Sequence, residues 1–487
     1  MKETSLHKMT LSDWRETEKA ALELLQIVGE LRFDHSVELI LFRRKIYDSR
    51  PSEVINNHLY GKNYVKQSIS VYTSLELAKG IIKMDLAPSR IDIGTLATDW
   101  LKSNGQFADV DEFLNHHLND HIGQDKKVLT PKDVVLYGFG RIGRLAARRL
   151  VEMTGRGEQL RLRAIVIRPK MSDRKEEMRK RAALLRRDSV HGKFRGTVNV
   201  ARDTEDELII NGNRVKMIFA QKPSDIDYTE YDIKDALIID NTGVWRDKEG
   251  LSQHLRPGAS RVLLTAPGKG DIPNIVHGVN QKTVNFKEDK VLSAASCTTN
   301  AIAPVIKVID DHYGVEQGHI ESVHSYTNDQ NLIDNFHKKP RRGRGAAVNM
   351  VLTSTGAATA IAKVIPHLAG KLTGNAIRVP TPNVSLAILN LRINKSVTVE
   401  EVNQLIKESA LHGKLVEQIG YSTSKDFVSS DAVGAEATSV FDAPSTQVSA
   451  DGKNITVYVW YDNEYGYTCQ VLRFAKYISQ VRRLRYY

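Results

Sequence analysis

Short apolar runs alternate with amphipathic stretches along the chain from about residue 130 onward. The stretches have helical spacing, and the runs are Val134–Tyr137, Leu160–Ile167, Leu237–Asp240, Val262–Thr265 and Val291–Ala295. Alternation of this kind is typical of a parallel sheet with helices on both faces. The pattern predicts an α/β fold with a doubly wound parallel sheet.

Residues 1–130 have a different pattern. Apolar residues recur at helical spacing from Ala20 to Leu31, and Ser12 or Asp13 is suited to cap the start of that helix. We find no metal-ligand spacing, phosphate loop or catalytic pair in this region. The pattern predicts a mostly helical region that ends near a linker at Thr130-Pro131-Lys132, with breaks at Pro51, Gly61, Pro88 and Gly94.

Composition fits a globular protein of about three domains. The chain has 487 residues, of which 41% are hydrophobic and 26% charged, and only two cysteines. Two cysteines are too few for a disulfide scaffold. No apolar run approaches the ~18 residues that a membrane helix needs, and the charged N-terminus lacks an apolar signal core. We therefore expect a cytoplasmic protein without a membrane partner.

The net charge of +11 is distributed unevenly. Residues 1–130 hold 17 basic and 19 acidic side chains, whereas residues 161–195 hold 13 basic and four acidic ones. A basic surface attracts phosphate groups, although Lys175–Arg187 also fits a solvated helix face. Because no aromatic residues are interleaved to stack on bases, the pattern disfavours nucleic-acid binding.

A glycine-rich loop follows the first apolar run. Gly138, Gly140 and Gly143 have G-x-G-x-x-G spacing between that strand and a helix beginning near Arg141. Gly138 permits a tight turn, Gly140 lets a pyrophosphate approach the backbone, and Gly143 allows the helix to pack on the strand. The loop and its setting predict a dinucleotide-binding Rossmann domain.

The end of the second strand bears on the choice of cofactor. A carboxylate there accepts from the ribose 2′-hydroxyl of NAD, whereas an arginine accommodates the 2′-phosphate of NADP. This chain has Arg168, 25 residues after Gly143, and no carboxylate. The residue favours NADP or dual use, although Arg168 could instead only stack on the adenine.

A candidate nucleophile lies where another strand meets a helix. Cys297 follows Ser293–Ser296, and a helical pattern runs on through Ile309. The N-terminus of a helix favours a thiolate, and neighbouring hydroxyl groups suggest an accessible polar site. Cys469 has no such surroundings, so we expect it to be a packing residue. Sequence alone does not single out His324 as the base among 15 histidines.

Five stretches of the chain are specific in combination. They are Tyr137–Arg144, Asp188–Gly192, Ser296–Asn300, Arg378–Ser385 and Trp460–Tyr467. Together they resemble the glyceraldehyde-3-phosphate dehydrogenase family, in whose order they occur. The resemblance covers roughly residues 131–480 and leaves residues 1–130 outside it.

The resemblance implies a phosphorylating NAD(P)-dependent aldehyde dehydrogenase that uses glyceraldehyde 3-phosphate and inorganic phosphate, without a metal. It implies Cys297 as nucleophile and His324 as base. For the two anion sites it implies Ser296, Thr298, Thr327, Arg342, Thr355, Gly356 and Arg378. For the cofactor it implies the loop glycines with Arg141, Ile142, Thr242, Gly243, Thr265 and Asn463, the last of which orients the nicotinamide carboxamide.

Two positions depart from the family. Tyr137 replaces the usual Asn before the loop, and Arg168 stands where NAD-dependent members have Asp. The second departure leaves the choice between NAD and NADP open. It does not change the type of reaction that the resemblance implies. A dehydrogenase for erythrose 4-phosphate is a rival of the same fold, and a binding protein on a retired enzyme scaffold is a rival of another class.

The predicted architecture has a helical region over 1–130, a dinucleotide domain over 131–297 and a catalytic domain over 298–466. The C-terminal helix, 467–487, completes the dinucleotide domain. Ile320–Thr327, Leu386–Ile393 and Ile455–Tyr461 are predicted to form an antiparallel sheet. The resemblance implies a homotetramer in glycolysis or gluconeogenesis. The first 130 residues would either affect assembly or regulation, or bind a separate protein.

Overall fold

The computed structural model describes residues 2–65 and 67–487. Contacts divide the chain into two compact units. The first comprises Met1–Pro131, Gly155–Gln159 and Val481–Tyr487, and the second comprises Lys132–Thr154 and Leu160–Gln480. No helix of the described residues is both long and apolar enough to cross a membrane.

The first unit is mostly helical, as predicted, but it also contains a small sheet in which β1 pairs in parallel with β3 and antiparallel with β2. Apolar side chains from all five helices form its core. The elements are α1 (Lys2–Asp34), β1 (Glu38–Leu41), β2 (Arg44–Lys45), α2 (Pro51–Val65), α3 (Val71–Ile81), β3 (Ser89–Asp92), α4 (Ile93–Lys102) and α5 (Val110–His117).

The prediction that the first helix starts at Ser12 or Asp13 is wrong. Helix α1 begins at Lys2 and runs without interruption through both residues. A cap residue needs a non-helical backbone, but residues 2–11 contain neither Gly nor Pro and are rich in good helix formers.

The second unit begins with the predicted doubly wound sheet, which has the strand order β13-β12-β11-β4-β5-β10-β9-β8. The five strands from β13 to β5 pair in parallel. Each contains one of the five apolar runs, except that Thr265, Ala294 and Ala295 lie just beyond their strands. The elements are β4 (Lys132–Tyr137), α6 (Arg141–Glu152), β5 (Leu160–Ile167), α7 (Arg174–Arg186), β6 (Arg187–Asp188), β7 (Gly192–Lys193), β8 (Val198–Val200), β9 (Glu207–Ile210), β10 (Asn213–Phe219), β11 (Ala236–Asp240), α8 (Lys248–Ser252), β12 (Ala259–Leu264) and β13 (Val291–Ser293).

A second sheet of the same unit is largely antiparallel, in the order β15-β16-β14-β17-β21-β19-β18. Its strands β14, β17 and β21 are those predicted from the sequence. The elements are α9 (Cys297–Tyr313), β14 (Val315–Ser325), β15 (Val351–Ser354), α10 (Ala357–Val364), β16 (Leu372–Val379), β17 (Ser385–Ile393), α11 (Val399–Leu411), β18 (Ile419–Ser422), β19 (Ser439–Asp442), β20 (Gln447–Val448), β21 (Asn454–Tyr461) and α12 (Tyr465–Ile478).

The C-terminal segment differs from the predicted helix over 467–487. Helix α12 ends at Ile478, and Gln480 adopts a left-handed backbone with φ of 57° that cannot continue a helix. The chain then forms β22 (Leu484–Tyr486), which pairs in parallel with β3 at the edge of the first unit's sheet. The last seven residues therefore belong to the first unit.

Candidate active site

Cys297 is the first residue of α9, directly after β13 and a short link. Ser296 caps the helix, since its hydroxyl accepts from the amide of Thr299 at 3.0 Å. Ala295 before it has a φ of 55°, which turns the chain from the strand into the helix. The thiol therefore lies among first-turn amides, and it is partly exposed.

His324 lies at the end of β14, and its Nε2 is 3.7 Å from Sγ of Cys297. The structure thus brings together the two residues that sequence could not pair. Nδ1 lies 2.7 Å from the carbonyl oxygen of Ser325. The same nitrogen lies 2.8 Å from Nη1 of Arg378, which can only donate, so its two contacts favour opposite tautomers of the ring. In the tautomer that donates from Nδ1 to the carbonyl, Nε2 is the basic nitrogen that faces the thiol.

Burial controls the protonation of both groups. It raises the pKa of the Cys297 thiol, although the Arg378 guanidinium opposes this rise. Burial and then Arg378 lower the pKa of His324 to about 4. At neutral pH the pair is therefore a thiol facing a neutral imidazole that can accept its proton.

Three of the residues expected to bind anions lie together beside His324. Arg378 Nη1 donates to the carbonyl of Ser325 at 3.0 Å and approaches Thr327 Oγ1 at 3.4 Å. Thr327 and Arg342 both donate to the carboxylate of Asp329. Sequence analysis missed Asp329, which balances the positive charge of this cluster.

The other expected anion-site residues are not joined to that cluster. The hydroxyl of Thr298 is 3.1 Å from Tyr461 Oη, and that of Ser296 caps α9. Thr355 Oγ1 accepts from the amide of Ala357, and Gly356 is the N-cap of α10. Among the described residues, no hydrogen bond connects Thr355 or Gly356 to Arg378.

The glycine-rich loop has the geometry expected of a dinucleotide site. Gly138 has a φ of 97°, and a Cβ at Gly143 would lie 2.3 Å from the Gly138 carbonyl oxygen. A Cβ at Gly140 would meet nothing within 4 Å. Gly140 is also the N-cap of α6, where no side chain caps the helix, so first-turn amides remain available to an anion.

The Arg141 side chain turns away from the loop. Its guanidinium pairs with the carboxylates of Asp188 and Glu464. Only the backbone of Arg141, with that of the half-buried Ile142, is therefore left to face a pyrophosphate. Both acidic partners lie in motifs named above, so the sequence contained a signal for this network.

Asp240 organises the neighbouring strand end. Its carboxylate accepts from the amide and hydroxyl of Thr242 at 2.6 and 2.7 Å, and its carbonyl accepts from the Thr265 hydroxyl at 3.0 Å. Gly243 follows with a φ of 63°. The Thr242 methyl would lie 2.8 Å from a Cβ at Gly138, so these residues adjoin the cofactor loop.

Arg168 is exposed directly after β5, as the sequence predicts. Its Nε donates to the carbonyl of Gln221 at 3.2 Å. Within the part of the chain that the structure describes, Arg168 forms no ion pair, so its charge is not neutralised by a neighbouring carboxylate.

Asn463 is buried between the two β-strand ends that carry Ser325 and Ser385. Both hydroxyls donate to its Oδ1, at 2.9 and 3.0 Å. This arrangement fixes the amide, and within the described part of the chain Nδ2 makes no hydrogen bond. Asp462 before it accepts from His191 Nε2 at 2.8 Å, a contact that sequence analysis did not single out.

Cys469 is buried, and burial raises its pKa to about 12.

Comparison with known proteins agrees with this site. Profiles described as "Glyceraldehyde 3-phosphate dehydrogenase, NAD binding domain" and "C-terminal domain" match residues 132–248 and 296–463. A "glyceraldehyde-3-phosphate dehydrogenase-like protein" of Pseudomonas aeruginosa is 47% identical over 454 residues, which is 92% of this chain and 97% of that protein. The chain belongs to the glyceraldehyde-3-phosphate dehydrogenase family.

Shorter members of the family match only part of the chain. The glyceraldehyde-3-phosphate dehydrogenase of Clostridium pasteurianum is 41% identical over 72% of this chain and 99% of its own length. Glyceraldehyde-3-phosphate dehydrogenase 2 of Bacillus subtilis is 39% identical over 71% and 96%. These relatives are aligned over nearly their whole length but over only about 70% of this chain, as expected for a family member that carries an additional N-terminal region.

Proposed function

We propose that the protein is a phosphorylating glyceraldehyde-3-phosphate dehydrogenase. The observation that carries the proposal is the 3.7 Å contact between Cys297 Sγ and Nε2 of His324 at the N-terminus of α9. A thiol beside a neutral base at a helix N-terminus is equipped for nucleophilic attack on an aldehyde.

In the proposed reaction Cys297 passes its proton to His324, and the thiolate attacks the aldehyde carbon of glyceraldehyde 3-phosphate. His324 and the first-turn amides of α9 then stabilise the oxyanion of the adduct. A bound nicotinamide supplies the hydride acceptor. Loss of the hydride leaves a thioester on Cys297. Inorganic phosphate attacks this thioester and releases 1,3-bisphosphoglycerate, and Cys297 is regenerated.

The cluster of Thr327, Arg342 and Arg378 supports phosphate binding, because arginine and hydroxyl donors suit phosphate oxygens. A phosphate bound there would compete with Asp329 for the same donors. We assign the second anion site to Ser296, Thr298, Thr355 and Gly356, where hydroxyls and first-turn amides are the candidate donors.

For the cofactor, we propose NADP or dual use with NAD. Gly140 and the start of α6, which no side chain caps, suit a pyrophosphate. Nδ2 of Asn463, which forms no hydrogen bond among the described residues, suits a carboxamide oxygen. The support for NADP is Arg168, an exposed cation with no ion pair among the described residues. A preference for NADP would favour the gluconeogenic direction.

For assembly, we propose a homotetramer. Between Leu332 and Met350, five large apolar side chains are 75–89% exposed, namely Leu332, Ile333, Phe336, Val348 and Met350. An exposed apolar cluster of this size is typical of an interface. The cytoplasmic location stays a prediction from composition.

The decisive experiment follows reduced-cofactor absorbance with glyceraldehyde 3-phosphate, comparing NAD and NADP with and without inorganic phosphate. We expect phosphate-dependent reduction. Reduction that needs no phosphate, with erythrose 4-phosphate as the better substrate, would instead favour the rival dehydrogenase. No reduction with either cofactor would contradict an enzymatic role.

A further inference from the structure

Helix α1 has an apolar face that the first unit buries and a second face on which leucines flank charged residues. The buried face packs into the core of this unit through Ala21, Leu24, Val28 and Leu31, each at most 1% exposed. These residues explain why residues 20–31 of α1 pack against the first unit. They do not explain what the first half of the helix packs against.

The second face is open. Leu11, Trp14 and Leu22 are 51%, 43% and 54% exposed. From Thr10 to Glu16 every side chain is exposed, so this part of α1 extends beyond the core of its unit. A helical segment without tertiary contacts is only marginally stable in water, which indicates that a partner covers it.

The second face has the spacing of a coiled-coil seam. Its positions are separated by four, three, four and three residues, and they are Leu11, Arg15, Glu18, Leu22 and Leu25. Leu25 also touches the core of the unit, whereas Leu11, Arg15 and Leu22 are exposed and Glu18 is half-buried.

The two charged positions determine which partner fits. Among the described residues neither Arg15 nor Glu18 forms an ion pair. In a parallel pair of α1 helices, Arg15 would face Arg15 and Glu18 would face Glu18. In an antiparallel pair the order of positions on one helix is reversed on the other. Arg15 then meets Glu18 and Leu11 meets Leu22, in four successive layers. The face is therefore complementary to itself.

We propose that this face of α1, defined by Leu11, Arg15, Glu18 and Leu22, binds the same face of a second copy of this chain in an antiparallel helix pair. Two central layers are salt bridges, and two outer layers are leucine pairs. The four layers span about 16.5 Å, so a single pair is weak, and an assembly that presents several copies strengthens it.

Cross-linking of the full-length protein tests the pairing. Lys19→Cys and Gln26→Cys are matched variants, because both positions flank the seam in the same way, one heptad apart. In the proposed pair, the two copies of residue 19 lie about 7.5 Å apart along the axis and those of residue 26 about 28 Å apart. With a short bismaleimide we expect about tenfold more covalent dimer from Lys19→Cys, with the parent protein as background for native thiols.

A second test reverses the charges at positions 15 and 18 of the seam. Introduced into Lys19→Cys, Glu18→Arg places like charges in the central layers and should lower the dimer yield at least about tenfold. The double change Arg15→Glu with Glu18→Arg should restore the yield, while circular dichroism confirms that each variant is folded. Three outcomes would overturn the proposal: equal yields of covalent dimer from both cysteine variants, no covalent dimer from either variant, or no recovery of the yield in the double change. A different protein bound to this face would give no covalent dimer from either cysteine variant.

Discussion

Nε2 of His191 lies 2.8 Å from Oδ2 of Asp462, across 271 positions of sequence. The other oxygen of Asp462 accepts from the amides of Glu464 and Tyr465 at the start of α12. The residue before Asn463 is therefore fixed through both of its carboxylate oxygens. This pair ties the segment after α7 to the residue proposed to orient the nicotinamide.

His191 should stabilise the protein most at acidic pH. The neighbouring carboxylates outweigh burial and raise its pKa above that of a free histidine. Its contribution is therefore fully present below the unfolded pKa of about 6.5 and is lost as pH rises through the folded pKa. We expect His191→Asn to lower the melting temperature more at pH 6 than at pH 9. His412→Asn, at an exposed site, is the control, and a pH-independent difference would contradict the argument.

Cys297→Ser should reduce phosphate-dependent activity by at least about 10³-fold, because a serine hydroxyl is a poor nucleophile without a strong base. Cys469→Ser is the matched control in the same chain. It should leave the rate close to that of the wild type but cost about 1–3 kcal/mol of stability, since it buries a hydroxyl in place of a thiol. Steady-state kinetics and chemical denaturation measure the two effects. A similar loss of activity in both variants would remove Cys297 from its assigned role.

His324→Asn should lower kcat by about 10²–10⁴-fold, the range expected for loss of a general base. It should also change acid stability. The wild-type chain binds a proton here at about pH 6.5 when unfolded but only near pH 4 when folded. Stability therefore falls as pH drops from about 6.5 to 4, by at most about 3 kcal/mol.

Urea unfolding at pH 7 and pH 5 checks this second effect. The difference in unfolding free energy should move in favour of His324→Asn at pH 5, because asparagine has no proton to bind. Parallel losses in the two proteins would show that other groups cause the acid sensitivity.

Arg168→Asp should shift the ratio of kcat/KM for NADP over NAD toward NAD by about 10–100-fold, since hydrogen bonds to charged groups contribute about 1.5–3 kcal/mol. Lys234→Asp makes the same change of charge before β11, at the amino end of a strand of the same sheet, whereas Arg168 follows the carboxyl end of β5. It should leave the ratio unaltered. If the wild type already prefers NAD and the ratio does not move, Arg168 does not select the cofactor.

The second unit was largely predictable because its signals are local. Five apolar runs became the parallel strands, and the glycine spacing placed the cofactor loop before α6. The contact between Cys297 and His324 was not predictable from spacing, because it depends on how β14 returns beside α9. Asp329 was missed for the same reason, since its role exists only once Arg342 folds back onto it.

The ends of the first unit were harder to predict. The start of α1 was misplaced because Ser12 and Asp13 are good caps that the folded chain does not use. The strand β22 was missed because it pairs with β3, which lies almost 400 positions earlier. Three residues carry too little pattern to reveal a partner at that distance.

Strand β22 has a consequence for biosynthesis. Domains commonly fold in the order in which the ribosome makes them. Here the edge strand of the first unit lies at Leu484–Tyr486, after the whole of the second unit in the sequence. The first unit therefore starts to emerge before the second but is completed after it. A chain whose synthesis stopped before Leu484 would carry every proposed catalytic residue but would lack the edge strand of the first unit's sheet.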